Sequence, residues 1–75
     1  MASATFDQLK TEVAMKAEES GTLPTTVTVG GTQYMLQMPV ETKMSAMQAI
    51  HNPAHLDDVL DKVTFVGTDG SEVHA

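Results

Sequence analysis

The sequence predicts an α+β fold in one small domain over residues 1–75: an N-terminal amphipathic helix, an antiparallel β-hairpin, two short helices and a C-terminal β-hairpin. Three observations predict it. Apolar residues recur at helical spacing near the N-terminus, two runs flanking Gly30-Gly31 alternate in phase with each other, and Asn52-Pro53 and Asp69-Gly70 punctuate the C-terminal half. At 75 residues and 41% hydrophobic content the chain supports a single core, since a domain of this size buries only about 60% of its unfolded surface. It has no cysteine, so no disulfide framework and no thiolate metal knot staples it, and self-association is a common remedy for so small a core.

The first helix is expected over Thr5 to Glu19, where Phe6, Leu9, Val13 and Ala17 form one stripe. Thr5 and Gln8 have the spacing of a capping box, and Gly21 is the stop. Lys10, Glu12, Lys16 and Glu18 are assigned to its solvent faces.

The stretch LPTTVTVGGTQYMLQMPV is settled by register arithmetic. A two-residue primed turn at Gly30-Gly31 places Val29 opposite Thr32, Val27 opposite Tyr34, Thr25 opposite Leu36 and Leu23 opposite Met38. One face then collects Leu23, Val27, Val29, Tyr34, Leu36 and Met38. The other collects Thr26, Thr28, Gln33, Met35 and Gln37, the pattern of a hairpin packed on one side.

Beyond Pro39, Val40, Met44, Met47 and Ile50 read as a second helical stripe with Thr42 or Ser45 as caps, which sends Met44 and Met47, like Met38, to the core. Leu56, Val59, Leu60 and Val63 mark a third helix. A two-residue turn at Asp69-Gly70 would set Val66 opposite Val73. Whether the two hairpins share one sheet is left open.

Within HNPAHLDD, His51 and His55 have the i, i+4 spacing of a metal pair, but Pro53 lies between them and ends the helix that would align them. Asn52 becomes an N-cap, Pro53 the first helical residue, and Asp57 and Asp58 follow near the positive end of the dipole. No metal and no cofactor is expected. No stretch carries the ligand pattern of a calcium loop, a serine-nucleophile elbow or a phosphate-binding glycine loop, so catalysis is not expected either.

The net charge is −6, from ten acids against four lysines and no arginine. A phosphate-tracking surface needs clustered Lys and Arg, and an anionic bilayer would repel this chain, so neither direct nucleic-acid binding nor membrane association is expected. No apolar run reaches the roughly 18 residues of a span and no leader-like segment opens the sequence, so it reads as soluble and cytoplasmic, in a host cytoplasm if phage-encoded.

What remains is contact with protein. The expected function is a small acidic non-enzymatic protein–protein interaction module, self-associating, whose candidate contact residues are Thr26, Thr28, Gln33, Met35 and Gln37 on the polar hairpin face, with Asp57, Asp58 and Asp61 as an acidic edge beside it. Met35 is the apolar exception on that face, an adaptable side chain among threonines and glutamines. Asp58 and Lys62 are expected to pair at i, i+4. A second reading is a phage or mobile-element inhibitor whose acidic surface blocks a host nucleic-acid-binding protein, carboxylates standing in for phosphates. A third follows from element order alone: helix, hairpin, helix resembles small head-to-tail joining proteins of tailed phages.

Overall fold

The computed structural model describes residues 4–75. Helix α1 (Phe6–Ser20) begins where Thr5 Oγ1 accepts from the Gln8 amide at 3.1 Å while Gln8 Oε1 accepts from the Thr5 amide at 2.9 Å, so the capping box forms in both directions. It stops at Gly21, held at φ 72°, whose N–H donates to the Ala17 carbonyl. Leu9, Val13 and Ala17 are fully buried, and Phe6 meets Phe65 edge to face with ring centroids 5.6 Å apart.

Strands β1 (Thr26–Val29) and β2 (Thr32–Gln37) pair as Val29 with Thr32 and Val27 with Tyr34, the register the alternation requires, around Gly30 and Gly31 at φ 61° and 81°. Left-handed values at both central positions are those of a type I′ turn. Helices α2 (Val40–Gln48) and α3 (Pro53–Leu60) then lead into β3 (Thr64–Gly67) and β4 (Glu72–Val73). The two hairpins share one antiparallel sheet in the order β1-β2-β3-β4, with β2 and β3 joined through Tyr34–Gly67 and Leu36–Phe65. One face of this sheet, carrying Val27, Tyr34 and Phe65, builds the core with Leu9 and Val13 of α1 and Leu56, Val59 and Leu60 of α3. Gly67 pairs with Tyr34, and a Cβ there would sit 2.6 Å from Asp69 Oδ1, 2.7 Å from Ser71 Oγ and 3.1 Å from Tyr34 Cε1. The bare backbone leaves room first for the turn's own side chains and then for the ring.

Two expectations about the elements and their register fail. The second hairpin pairs Phe65 with Val73 and Val66 with Glu72, one residue out of the expected register. The cause is a three-residue turn. The Gly67 amide donates to the Ser71 carbonyl at 2.7 Å, Gly70 takes φ 89°, and Asp69 Oδ1 accepts from both the amide and the hydroxyl of Ser71, an arrangement that inserts one residue beyond a two-residue turn. Because side chains alternate, that one residue carries Val73 to the core face beside Phe65 and leaves Glu72 opposite Val66.

The second failure is α2, where only Ile50 of the expected stripe is buried. The helix itself buries Ala46, Ala49 and Ile50 follow just past its end, and Val40, Met44 and Met47 are 73%, 56% and 57% exposed. Neither Thr42 nor Ser45 caps it; Pro39 occupies the N-cap without a side-chain bond. The tight link to α3, closed by the Asn52 amide donating to the Ala49 carbonyl at 2.8 Å, brings the two helices together through small side chains. Helix α3 itself forms as expected, with Asn52 Oδ1 accepting from the His55 amide and Pro53 in the first turn.

Candidate functional site

The face of the sheet turned away from the helices is uncovered. Thr26, Met35, Val66 and Glu72 stand opposite one another in a single row across all four strands, flanked by the pairs Thr28–Gln33 and Gln37–Thr64. The five hairpin residues expected on the polar face, Thr26, Thr28, Gln33, Met35 and Gln37, are all exposed there, and Gln33 Nε2 donates diagonally to Thr26 Oγ1 at 3.3 Å. Met35 is 52% exposed. Beside it Val66 is half-buried, so the centre of an otherwise polar face is apolar.

At one end of the sheet lies a groove of about 770 Å³ whose apolar lining is Leu23, Met35, Leu36 and Met38, with Lys43 and Lys62 among its other lining residues. Lys43 is placed there by α2, which leaves β2 through Met38-Pro39, and Lys62 by the turn between α3 and β3.

The acidic residues expected beside the sheet face lie elsewhere. Asp57 and Asp61 project from α3 toward α1, where both hold Lys10: Nζ lies 2.6 Å from Asp61 Oδ1 and 2.9 Å from Asp57 Oδ1. Lys10 is therefore a packed residue, contrary to its expected place on a solvent face. Its side chain is 11% exposed, and its ammonium lies 5.6 Å from the Phe6 ring centroid. The Asp61 hydrogen bond, seconded by Asp57, raises the Lys10 pKa above the ordinary lysine value against the opposing effect of burial. Asp58 is exposed, and Lys62 makes no ion pair with it among the described residues. Of the three carboxylates, two neutralise a lysine of the same chain, and the acidic edge and the sheet face are separate surfaces.

The histidines diverge as well. His51 borders a cleft with Ala14 and Glu18 of α1, whereas His55 borders a different one with Glu41, Thr42, Ser45 and Lys62. Among the described residues no group of three or more His, Cys, Asp or Glu side chains could hold a metal ion, and no helix is long and apolar enough to cross a membrane.

Sequence reasoning missed two parts of the exposed surface. Val66, Thr64 and Glu72 extend the hairpin face by two strands; the bulkier Phe65 beside Val66 is the signal for which of the two belongs inside. Val40, Met44 and Met47 form an exposed stripe at i, i+4, i+7 on α2. The competing stripe of Ala46, Ala49 and Ile50, continuous with the Asn52-Pro53 stop, is the signal that could have exposed them. Comparison of the chain with family models, with curated proteins and with solved structures finds no match.

Proposed function

We propose that this chain is a small, acidic, non-enzymatic protein-interaction module that pairs with a second copy of itself through α2 and keeps its open sheet face for a different partner. The observation that carries this reading is the inverted burial of α2, whose alanine is inside while Val40, Met44 and Met47 stand in water. Covering such side chains is worth about 1.5–3 kcal/mol each when complete, and the monomer forgoes most of that gain. The stripe lies on a convex helix surface, which suits an antiparallel pairing with its own two-fold copy, because the same residues then meet on both sides. Methionine adapts its shape to such contacts at little conformational cost.

Sedimentation velocity over a concentration series tests the pairing. The wild-type protein is expected to sediment faster as concentration rises, and the Met44→Lys/Met47→Lys variant to remain a monomer with an unchanged circular dichroism spectrum. A wild-type protein that stays monomeric throughout ends the self-association reading.

A further inference from the structure

The groove at the end of the sheet is where the unpaired positive charge of this acidic chain collects. Lys10 is held by Asp57 and Asp61, and Lys16 lies 4.0 Å from Glu12. Among the described residues Lys43 and Lys62 make no ion pair, and both line this groove, with Glu72 as the carboxylate that shares it. Against a whole-chain charge of −6, two lysines to one glutamate make a local reversal of sign in a groove that Leu23, Met35, Leu36 and Met38 also line. Thr25, Gln37 and Thr64 line the same groove, and a hydroxyl or carboxamide can both donate to and accept from a peptide bond.

We propose that this groove binds an acidic, apolar peptide segment of a partner protein. The inference rests on the chain being an interaction module, and is independent of whether it pairs through α2. The apolar side chains of the segment settle on Leu23, Met35, Leu36 and Met38, its carboxylates reach Lys43 and Lys62, and its backbone amides meet the threonine and glutamine groups. The groove volume falls within the roughly 300–1,000 Å³ of ligand clefts. A fatty acid would satisfy the floor and a lysine but would leave the amide and hydroxyl groups of the walls without partners. The distant acids of the chain oppose an anionic segment only weakly at physiological salt, where the Debye length is about 8 Å, whereas contact pairs at the lysines persist.

The test is fluorescence anisotropy at physiological salt with two labelled eight-residue peptides, one alternating glutamate with leucine and the other alternating lysine with leucine. The acidic peptide is expected to bind about tenfold more tightly or better. Lys43→Ala/Lys62→Ala should remove about that factor, because two partly exposed ion pairs together approach one decade of affinity. Both lysines are exposed, so this variant should fold, and an unchanged thermal transition checks that it does. The Met44→Lys/Met47→Lys variant should bind the acidic peptide as the wild type does, which separates this site from the pairing surface. Equal binding of the two peptides, binding of neither, or indifference to the lysine substitutions overturns the proposal. Decanoate that binds with the same lysine dependence while the acidic peptide does not would overturn it in favour of a lipid.

Discussion

Helices α1 and α2 solve the same problem in opposite ways. Helix α1 has a capping box at one end, a left-handed glycine at the other, and its stripe of Leu9, Val13 and Ala17 inside, with only Met15 among its large apolar side chains exposed. Helix α2 has a cap position filled by Pro39 with no side-chain bond, no left-handed glycine at its end, and its large apolar side chains outside. Both sequences contain a stripe at helical spacing, so periodicity alone does not separate them. What separates them is what each must approach. Helix α1 lies on β1 and on α3 and buries Leu9 and Val13 there, while α2 packs on α3 across a short turn and buries Ala46 within the helix and Ala49 and Ile50 just beyond it. A helix held by alanines is anchored weakly and has its larger residues free for other contacts.

The largest test of this contrast is truncation. Leu9→Ala in α1 removes a fully buried side chain and is expected to cost about 3–5 kcal/mol in urea denaturation, the transfer loss plus a cavity the surrounding core cannot close. Met44→Ala in α2 should change the unfolding free energy of the monomer by less than about 0.5 kcal/mol. A cost near 2 kcal/mol for Met44→Ala in dilute protein would mean that the stripe is covered within the protomer, and the contrast would collapse.

Enlarging the inward face of α2 is the converse. Ala46 is fully buried, so Ala46→Leu adds three carbons to a crossing with no room for them and is expected to cost about 1–3 kcal/mol. On periodicity alone the same substitution would improve an amphipathic helix. Thermal unfolding therefore discriminates between the stripe that counts the most apolar side chains and the stripe that fits.

That distinction marks how far the sequence could be read. Elements whose local signals agree were legible: the capped α1, the Gly30-Gly31 hairpin whose two strands demand one register, and the Asn52-Pro53 start of α3. The exposed residues of the first hairpin, Met35 among them, were legible for the same reason, since alternation determines which face each residue takes. Where one residue decided the outcome, the pattern was silent. The extra residue in the Asp69 turn set Glu72, in place of Val73, opposite Val66, and it depends on two hydrogen bonds from Ser71 to a single carboxylate oxygen, which no hydrophobic periodicity reports. The pairing of Lys10 with Asp57 and Asp61 spans some fifty residues of chain and arises only once α1 and α3 are packed. For that reason the acidic cluster looked free in the sequence and is largely spoken for in the fold.

Lys10 gives the third test, smaller in size. Lys10→Met keeps an apolar stem against Phe6 and loses the two ion pairs. Asp57 and Asp61 remain 64% and 51% exposed and stay hydrated, so the expected cost is about 1 kcal/mol and not the larger penalty of a stranded buried charge. The pH dependence follows from the raised lysine pKa. A group whose folded pKa lies above its ordinary value of 10.5 contributes fully below that value and loses its contribution as pH rises through the folded pKa. The difference in urea midpoint between wild type and Lys10→Met should therefore be full well below pH 10.5 and shrink as pH rises beyond it. Other groups that titrate there are common to both proteins and cancel. A difference that stays constant across that range would show that Lys10 acts through packing alone.

The smallest effect lies at the start of α2, and its sign is informative. Pro39 holds φ at −61° and ψ at 155°, a backbone already suited to an N-cap, but its ring offers no acceptor to the first turn. Pro39→Ser supplies one, which is worth about 1 kcal/mol where a serine caps well. It also frees the unfolded chain at a position the ring had restricted, at a cost of about 0.4–1 kcal/mol. The two nearly cancel, leaving a change within about 0.5 kcal/mol that favours the variant if the new hydroxyl bonds the first turn. Thr5→Ala in α1 has no such offset, because it removes one half of a formed capping box and leaves Gln8 without its reciprocal contact, and should cost about 1 kcal/mol. Amide hydrogen exchange in the first turn of each helix checks the pair directly: protection should rise at the start of α2 in Pro39→Ser and fall at the start of α1 in Thr5→Ala. If protection at α2 does not rise, the limit on that helix is the small buried face it presents, Ala46 within the helix, and capping cannot correct it.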